Sequence, residues 1–269
     1  MPSNSTKKIL RVVQELESRE PRLNLALEEA IARKVERGSV PPTLRFWCNE
    51  PSVIIGRSQS LRTEVDLPRC KEAGMPVIRR ASGGGTVIHD LNNLNYSIYL
   101  PNPTCSSVVG EQLQWSESLS EVLADLGLRA KLESNGLFVA GEKVSGTAQT
   151  RRWGMLHHGT LLLSENELFH RMDHFLKAGR RNYDRDGEGS NGVTSKPARV
   201  NYLKVLSGKT INISHLIDRW VKQVAYRLNA RPEKGHLSSS EIALAKRLRD
   251  FKYGTQKWTV DPRSIENST

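Results

Sequence analysis

Residues 79–90 have the types and spacing of an anion-binding segment. They read Arg-Arg-Ala-Ser-Gly-Gly-Gly-Thr-Val-Ile-His-Asp. Three consecutive glycines lose much conformational entropy on folding, so they suit a place where the backbone must come close to another group. Successive backbone N–H groups can form a concavity for an anion, and Arg79 and Arg80 would add positive charge. The segment predicts such a cradle, with an ordinary glycine-rich hairpin turn as the alternative.

This segment differs from the two familiar phosphate-binding loops. A P-loop needs Gly-Lys-Ser/Thr at its end, whereas Gly85 is followed by Thr86 and Val87. The dinucleotide fingerprint needs a third glycine where Ile88 stands, followed by a helix. Because the β-branched residues after Gly85 favour a strand, we predict a strand–loop–strand arrangement.

Lys143 is the second candidate for chemistry. Two apolar runs, residues 136–140 and 144–148, are joined by Gly-Glu-Lys, which predicts a hairpin with Lys143 at the start of its second strand. The small residues that follow leave room for a ligand beside the lysine. An ammonium there would be a compact charge for phosphate or carboxylate oxygens. The alternative is a solvated turn lysine.

Histidines occur at two places near these segments. His157 and His158 are adjacent in a predicted strand and therefore point to opposite faces, so both cannot easily bind one metal. We expect structural or hydrogen-bonding roles for them. His89 and Asp90 could position a water or a substrate, or they could cap a turn.

The three cysteines are widely spaced and odd in number. This argues for a reducing compartment and against a disulfide framework or a cysteine-based zinc site. Cys48 lies in a strand pattern and Cys70 in a helix pattern, so we expect both to be buried or half-buried. Cys105 follows Pro-Asn-Pro-Thr and is the exposed candidate for a reactive thiol.

Composition limits the classes of function. The chain has 269 residues, 37 % hydrophobic and 26 % charged, enough for one large or two small domains. No run approaches the roughly 20 apolar residues of a membrane span, and no secretory signal is visible, so we expect a cytoplasmic protein without a membrane partner. The net charge of +11 suits an acidic partner. The basic residues form no arm and have little aromatic interleaving, so we do not expect a nucleic-acid partner.

The elements that must position these residues alternate irregularly, which predicts an α+β fold. The predicted strands are 43–48, 52–57, 76–80, 86–89, 94–100, 129–133 and 156–163, and the predicted helices are 24–37, 65–73, 109–126, 166–176, 213–228 and 240–251. Strands 86–89 and 94–100 are expected to pair through a turn at residues 90–93. Ser238 or Ser239 is the expected cap of the last helix. Residues 1–8 are expected to be disordered, and 177–199 to form a mobile polar loop.

Together these segments resemble the lipoate–protein ligase family, within the wider group that also holds biotin ligases and octanoyltransferases. The similar stretches are Asn-Leu-Ala-Leu-Glu-Glu at 24–29, Arg-Phe-Trp at 45–47 with residues 51–59, the glycine segment at 79–90, Gly-Glu-Lys-Val-Ser-Gly-Thr-Ala-Gln at 141–149 and His-Gly-Thr at 158–160.

The resemblance implies a mixed, largely antiparallel sheet flanked by helices, as in the catalytic domain of class II aminoacyl-tRNA synthetases and biotin–lipoate ligases. The domain would span residues 1–255, with a tail at 256–269 and no separate C-terminal accessory domain. The resemblance also implies two reaction steps. Lipoate attacks the α-phosphate of ATP in the presence of Mg²⁺, and a lysine of a lipoyl domain then takes the acyl group from the adenylate.

The resemblance also assigns residues. Lys143 would be catalytic and bridge the α-phosphate and the lipoyl carbonyl. Contacts with ATP or lipoyl-AMP would come from Arg80, Ser82, Gly83, Gly84, Gly85, Thr86, Val87, Ile88 and Asn93. Further candidates are Arg79, His89, Asp90 and His158. No metal ligand is assigned, because Mg²⁺ would be bound through the ATP phosphates.

The implied partner is a small acidic lipoyl domain, and a separate accessory protein is implied for adenylation. Asn92 stands where the family has glycine, and we expect it to keep the turn because asparagine tolerates positive φ. One alternative is an octanoyltransferase that uses a cysteine thioester. Ser-Asn-Gly-Leu-Phe at 134–138 holds one of the positions of that cysteine, and no cysteine lies downstream. The other alternative is a non-enzymatic basic binding protein.

Overall fold

The computed structural model describes residues 8–133, 136–165, 172–177, 194–196 and 198–266. The strands are β1 Lys8–Arg19, β2 Thr43–Asn49, β3 Ser52–Ile55, β4 Val77–Arg79, β5 Val87–His89, β6 Asn93–Leu100, β7 Ala130–Glu133, β8 Gly136–Val139, β9 Glu142–Thr150, β10 Met155–Leu162 and β11 Ala230–Lys234. The helices are α1 Pro21–Glu36, α2 Leu61–Glu64, α3 Leu67–Glu72, α4 Val108–Ala124, α5 Met172–Phe175, α6 Leu203–Ser207, α7 Ile213–Arg227, α8 Ser239–Leu248, α9 Gln256–Val260 and α10 Arg263–Glu266. A π-helical turn, Arg249–Tyr253, follows α8.

Eight strands form one sheet in the order β11-β1-β2-β6-β10-β9-β8-β7. Strand β1 is parallel to β2 and β11, and the other neighbours are antiparallel. Strands β4-β3-β5 form a second, small sheet. The predicted α+β class, with a mixed and largely antiparallel sheet flanked by helices, is confirmed.

Strand β1 has no counterpart in the sequence prediction, which assigned no element to residues 9–23. It already includes Lys8, which was expected to be disordered. Leu10, Val12 and Val13 of this strand are buried. Its partners lie far along the chain, so no local turn signal announces it.

The predicted pairing of β5 with β6 is wrong. Strand β5 pairs with β3 in the small sheet, whereas β6 lies between β2 and β10 in the large one. All eight residues of β6 are buried, so its neighbours must be longer strands than the three-residue β5. The turn between them does form, because Asp90 Oδ1 accepts from the Asn92 N–H at 2.7 Å. Asn92 is not among the described residues with positive φ, so it keeps the turn without that conformation.

Capping residues explain the observed helix boundaries. Helix α1 begins at Pro21, before the predicted start, because the Glu20 carboxylate accepts from the N–H groups of Arg22 and Leu23. The helix predicted over 65–73 is observed as α3, which begins at Leu67 because Asp66 caps it, and the short helix α2 before it was not predicted. Ser238 caps α8 in a full capping box with Glu241.

Helices cover both faces of the large sheet. Phe46 and Tyr96 pack with α4 and α7 on one face, and Trp47 and Tyr99 pack with α1 and α8 on the other. Within the described residues, none of the helices combines the length and the apolar character of a membrane span.

Residues of the predicted tail, 256–269, pack into the core that contains Trp47 and Tyr99. Trp258 of α9 is fully buried, and its indole N–H donates to the Arg79 carbonyl at 2.8 Å. Of the predicted helix 166–176, only residues 172–176 lie within the described part. Most of the predicted mobile loop, residues 178–193 and 197, lies outside it.

Candidate active site

A cavity of about 530 Å³ opens between the glycine segment, the β8–β9 hairpin and β10. This volume is typical of a site for a small ligand. The described residues that line it are Leu25, Glu28, Trp47, Ile54, Arg80, Gly84, Gly85, Thr86, Val87, His89, Asn95, Phe138, Gly141, Lys143, Gly146, Thr147, Ala148, His158, Gly159, Thr160, Thr194, Ser195, Lys196, Ala198 and Arg199. The two separately predicted segments therefore meet at one site.

The glycine loop, residues 82–86, lies against the turn that follows β3. A Cβ placed on Gly56 would come within 2.0 Å of the Gly84 carbonyl oxygen, so this contact requires glycine. Gly84 itself has a φ of 86°, in the left-handed region. Gln59 Oε1 accepts from the Gly56 N–H and from the Thr86 hydroxyl, both at 2.9 Å. The loop is thus held by backbone contact and by one amide side chain.

Arg80 supports the glycine loop from inside. Its Nη2 donates to the carbonyls of Gly83 and Gly85 at 2.6 and 2.8 Å, and its Nε donates to Ser82 Oγ at 3.0 Å. A fourth bond joins Nη1 to the Ile54 carbonyl at 3.2 Å. Burial lowers the pKa of Arg80 to about 10. The predicted contact with an anion is therefore limited, because most of the guanidinium faces protein oxygens.

Lys143 reaches the cavity across two glycines that pair between β8 and β9. A Cβ on Gly136 would lie 2.4 Å from Lys143 Cε, and one on Gly146 would lie 3.6 Å from it. The residue is half-buried, so the alternative of a fully solvated turn lysine does not describe it. Burial, and then the charge of Arg80, lower its pKa. An anion in the cavity would therefore be attracted by two neighbouring cations.

His89 is held as a neutral imidazole. Asn49 Nδ2 donates to its Nδ1 at 2.9 Å, and its Nε2 lies 3.1 Å from Thr160 Oγ1. Since the Thr160 hydroxyl donates to Asn95 Oδ1, Nε2 must carry the proton. Burial lowers the pKa of His89 to about 3. Both ring nitrogens of His89 are therefore engaged by protein groups, and the residue is a poor acid–base catalyst at neutral pH.

His158 connects helix α1 with the glycine loop. Its Nε2 lies 2.6 Å from Ser82 Oγ, and its Nδ1 lies 2.7 Å from Glu28 Oε1. Despite burial, which acts to raise it, the pKa of Glu28 is lowered by His158, Ser97 and Arg45. His157 points to the opposite face and packs near the Tyr96 ring.

Several predicted site residues do not line the cavity. Arg79 donates instead to the carbonyls of the turn after β3 and to those of Thr259 and Val260 in α9. Asn93 Nδ2 donates to the Ile88 carbonyl at 3.0 Å. Direct ligand contacts stay predictions without support from the cavity geometry for Arg79, Ser82, Gly83, Ile88, Asp90 and Asn93.

The sequence prediction missed other residues of the cavity wall. Ser195 Oγ accepts from the Thr86 N–H and from Gln59 Nε2, both at 2.9 Å. The Thr86 amide, predicted to face the ligand, is thus bonded to protein. Lys143 pairs through its own backbone with residues 199–201. The polar composition of 177–199 was the available signal for this wall. Glu28 and Trp47 lie in two stretches that carry the resemblance, 24–29 and 45–47, but no site role was assigned to them.

None of the three cysteines, all in the described part, lines the cavity. Burial raises the pKa of the Cys48 thiol, and it raises that of Cys70 to about 11. Cys105 is half-buried rather than exposed, and its Sγ donates to Gln114 Oε1 at 3.2 Å. Among the described residues, no group of three or more His, Cys, Asp or Glu side chains could hold a metal ion.

The structure is an α+β domain with a cavity that contains Lys143 and Arg80. The profile described as the lipoyl protein ligase A/B catalytic domain matches residues 20–225, and the chain belongs to this family.

Curated relatives include both ligases and transferases. The chain is 30 % identical to octanoyltransferase LipM of Staphylococcus aureus over 90 % of this chain and 95 % of that protein. It is 29 % identical to LipM of Brevibacillus brevis, over 91 % of this chain and 96 % of that protein. It is 33 % identical to lipoate-protein ligase LplJ of Bacillus subtilis, over 67 % of this chain and 53 % of that protein.

The solved structures with similar folds include lipoate–protein ligases. A lipoate-protein ligase A bound with ATP superposes with a TM-score of 0.77 at 25 % identity, over 95 % of this chain and 99 % of that one. A bipartite lipoate protein ligase of Thermoplasma acidophilum, studied with its E2 lipoyl domain, gives 0.77 at 26 % identity, over 95 % and 96 %.

Proposed function

We propose that this chain is an ATP-dependent lipoate–protein ligase. In the first step a lipoate carboxylate oxygen attacks the α-phosphorus of ATP, and pyrophosphate leaves. In the second step the amine of an acceptor lysine attacks the acyl carbon of lipoyl-AMP. An amide forms, AMP leaves and the amine loses a proton.

The observation that carries this proposal is the composition of the cavity. It holds a half-buried lysine and a buried arginine, and no cysteine lines it. Joining a carboxylate to a phosphate brings two anions together, so the transition state needs fixed positive charge. A thioester route needs a thiol at the same place, and the three thiols lie elsewhere.

Each wall of the cavity has a proposed role. The Lys143 ammonium neutralises the carboxylate and the α-phosphate, while Gly84 and Gly85 let the backbone approach the nucleotide. Apolar side chains, including Ile54 and Phe138, suit the acyl chain. Mg²⁺, bound through the ATP phosphates, would add neutralising charge.

The proposed acceptor is an acidic lipoyl domain, which fits the net charge of +11. A separate accessory protein for adenylation is part of the proposal, and the bipartite ligase from Thermoplasma acidophilum supports it. The proposed setting is the cytoplasm, as the odd, widely spaced cysteines indicate.

The second candidate is an octanoyltransferase. The full-length similarity to the LipM proteins favours it. It predicts transfer from octanoyl carrier protein to a lipoyl domain without ATP.

One assay separates the two candidates. A lipoyl domain is incubated with the chain, lipoate, ATP and Mg²⁺, with and without a candidate accessory protein, and its mass is measured. The ligase proposal predicts the mass of one lipoyl group only when ATP is present. Acyl transfer from octanoyl carrier protein without ATP, together with no ATP-dependent lipoylation, would overturn it.

A further inference from the structure

A buried chain of hydrogen bonds runs from the cavity wall through helix α1 to the glycine loop. Trp47 Nε1 donates to Ser97 Oγ at 3.0 Å, and the Ser97 hydroxyl donates to Glu28 Oε1 at 2.7 Å. Glu28 Oε1 lies 2.7 Å from His158 Nδ1, and His158 Nε2 lies 2.6 Å from Ser82 Oγ. Ser82 Oγ finally accepts from Arg80 Nε at 3.0 Å. We call these six residues the relay.

Donor and acceptor counting fixes the proton positions in the relay. Glu28 Oε1 can only accept when ionised, so His158 Nδ1 must carry a proton. Ser82 already accepts from Arg80, and its own hydroxyl proton needs an acceptor. With the proton on Nδ1, the His158 Nε2 lone pair supplies that acceptor. This one tautomer satisfies Arg80, Ser82, His158 and Glu28 together.

The relay ends on the groups that shape the glycine loop. The same guanidinium that donates to Ser82 also donates to the Gly83 and Gly85 carbonyls. Ser82 itself is buried and does not line the cavity, so its hydroxyl is not presented to a ligand. The Ser–His–Glu order resembles a hydrolase triad, but here the serine faces an arginine inside the protein.

We propose that His158 is a positioning residue: with its proton fixed on Nδ1 by Glu28, it holds Ser82 and Arg80 so that the glycine loop keeps the shape that binds the nucleotide. The nucleotide part of this statement rests on the proposed function. The effect of His158 on the shape of the glycine loop does not depend on the proposed function, and it can be measured in the free protein.

The first test is amide hydrogen exchange of residues 82–86 in the free, full-length protein. His158→Asn places an amide N–H near Nδ1 but cannot reach Ser82. The expected result is exchange about tenfold faster than in the wild type, the factor that corresponds to about 1.4 kcal/mol. His157→Asn is the matched control, because His157 is likewise a buried residue of β10 but makes no hydrogen bond among the described residues. Equal exchange in the two variants would overturn the proposal.

Ser82 variants keep the test valid if His158→Asn folds poorly. Ser82→Ala removes the hydroxyl and should speed exchange of the loop by a similar factor, whereas Ser82→Thr keeps the hydroxyl and should restore slow exchange. The double variant S82A/H158N should exchange no faster than either single variant, because both break one chain. Additive effects would contradict the relay.

The second test compares the effect of His158→Asn on the Michaelis constants for ATP and for lipoate. His158→Asn should raise KM for ATP about tenfold and leave KM for lipoate within about twofold. A change confined to lipoate, with slow loop exchange, would mean that His158 contacts the acyl chain and would overturn the proposal. An acyl group found on Ser82 by peptide mass would also overturn it. If the wild type does not activate lipoate, the proposed function fails while the exchange result stays interpretable.

Discussion

Lys143 illustrates how neighbours convert an ordinary side chain into part of a site. Gly136 and Gly146 are paired across two strands, and the aliphatic end of Lys143 lies over both. Any larger residue at 136 would meet Lys143 Cε and the Ser145 carbonyl at 2.4 Å. The lysine is thereby buried enough for its pKa to fall while it still faces the cavity.

This lowered pKa predicts an unusual pH limit for substrate binding. The charged ammonium attracts the anionic substrates, and raising the pH through its pKa removes that charge. In the wild type, kcat/KM for ATP should fall roughly tenfold per pH unit above a pKa that lies below the usual 10.5 of lysine. The Lys143→Arg variant should have a lower kcat/KM for ATP than the wild type. Its kcat/KM should begin to fall only at higher pH, because arginine stays protonated.

The control for this pH experiment is Lys131→Arg. Lys131 is exposed on β7 and is, like Lys143, a cross-strand neighbour of Phe138. It should keep the wild-type profile. If kcat/KM for ATP falls at the same pH in Lys143→Arg as in the wild type, Lys143 is not the group whose charge is lost.

At the scale of elements, the glycine loop and the turn after β3 form one unit. Gly56→Ala would push a Cβ against the Gly84 carbonyl at 2.0 Å, and this backbone atom cannot rotate away. We expect the free energy of unfolding to fall by about 1–3 kcal/mol. Urea unfolding of the full chain measures this change.

Gly83→Ala is the matched comparison within the same unit. A Cβ there meets no atom within 4 Å, so its unfolding free energy should stay within about 0.5 kcal/mol of the wild type. Equal losses in the two variants would show that the contact between Gly56 and Gly84 is not what holds the loop.

Local signals explain which elements could be predicted from the sequence. The β8–β9 hairpin and helices α4, α7 and α8 follow from turn residues, apolar spacing and caps, all within a few residues. Strand β1 could not be found this way, because its partners are β2 and β11. The pairing of β5 was wrong for a related reason: a good turn at 90–93 joins two strands of different sheets.

The same distinction applies to the candidate site. Glycines in a row and a lysine among small residues are visible locally, and the resemblance depends on them. Glu28 reads as a solvated charge on an amphipathic helix, and only the fold places it beside His158. Ser195 reaches Thr86 across 109 positions of sequence, so no spacing could have indicated it.

At the scale of the whole molecule, two cores on opposite faces of one sheet enclose buried titratable groups. His89 lies at the cavity and His157 on the other face, and burial lowers both pKa values from 6.5 to about 3. As the pH falls below 6.5, these histidines bind protons in the unfolded chain, whereas in the folded protein they stay neutral down to about pH 3. Their contribution to stability is therefore complete above pH 6.5 and is lost progressively down to about pH 3.

Acid should therefore weaken the fold before its carboxylates titrate. Each of these histidines should lower the free energy of unfolding by up to about 1.4 kcal/mol per pH unit below its unfolded pKa. His157→Leu removes one of them without breaking a hydrogen bond among the described residues. Denaturant unfolding between pH 7 and 5 should show a smaller slope in this variant. An unchanged slope would contradict the assignment of His157 as a buried neutral group.

The most direct measurement of the central proposal is lipoate-dependent exchange of pyrophosphate into ATP, without any acceptor. It reports adenylate formation alone and is run on the chain with and without a candidate accessory protein. The account predicts exchange with the wild type and with Lys131→Ala, and a loss of at least about a hundredfold with Lys143→Ala. No exchange under either condition, alongside ATP-independent octanoyl transfer that survives Lys143→Ala, would contradict it.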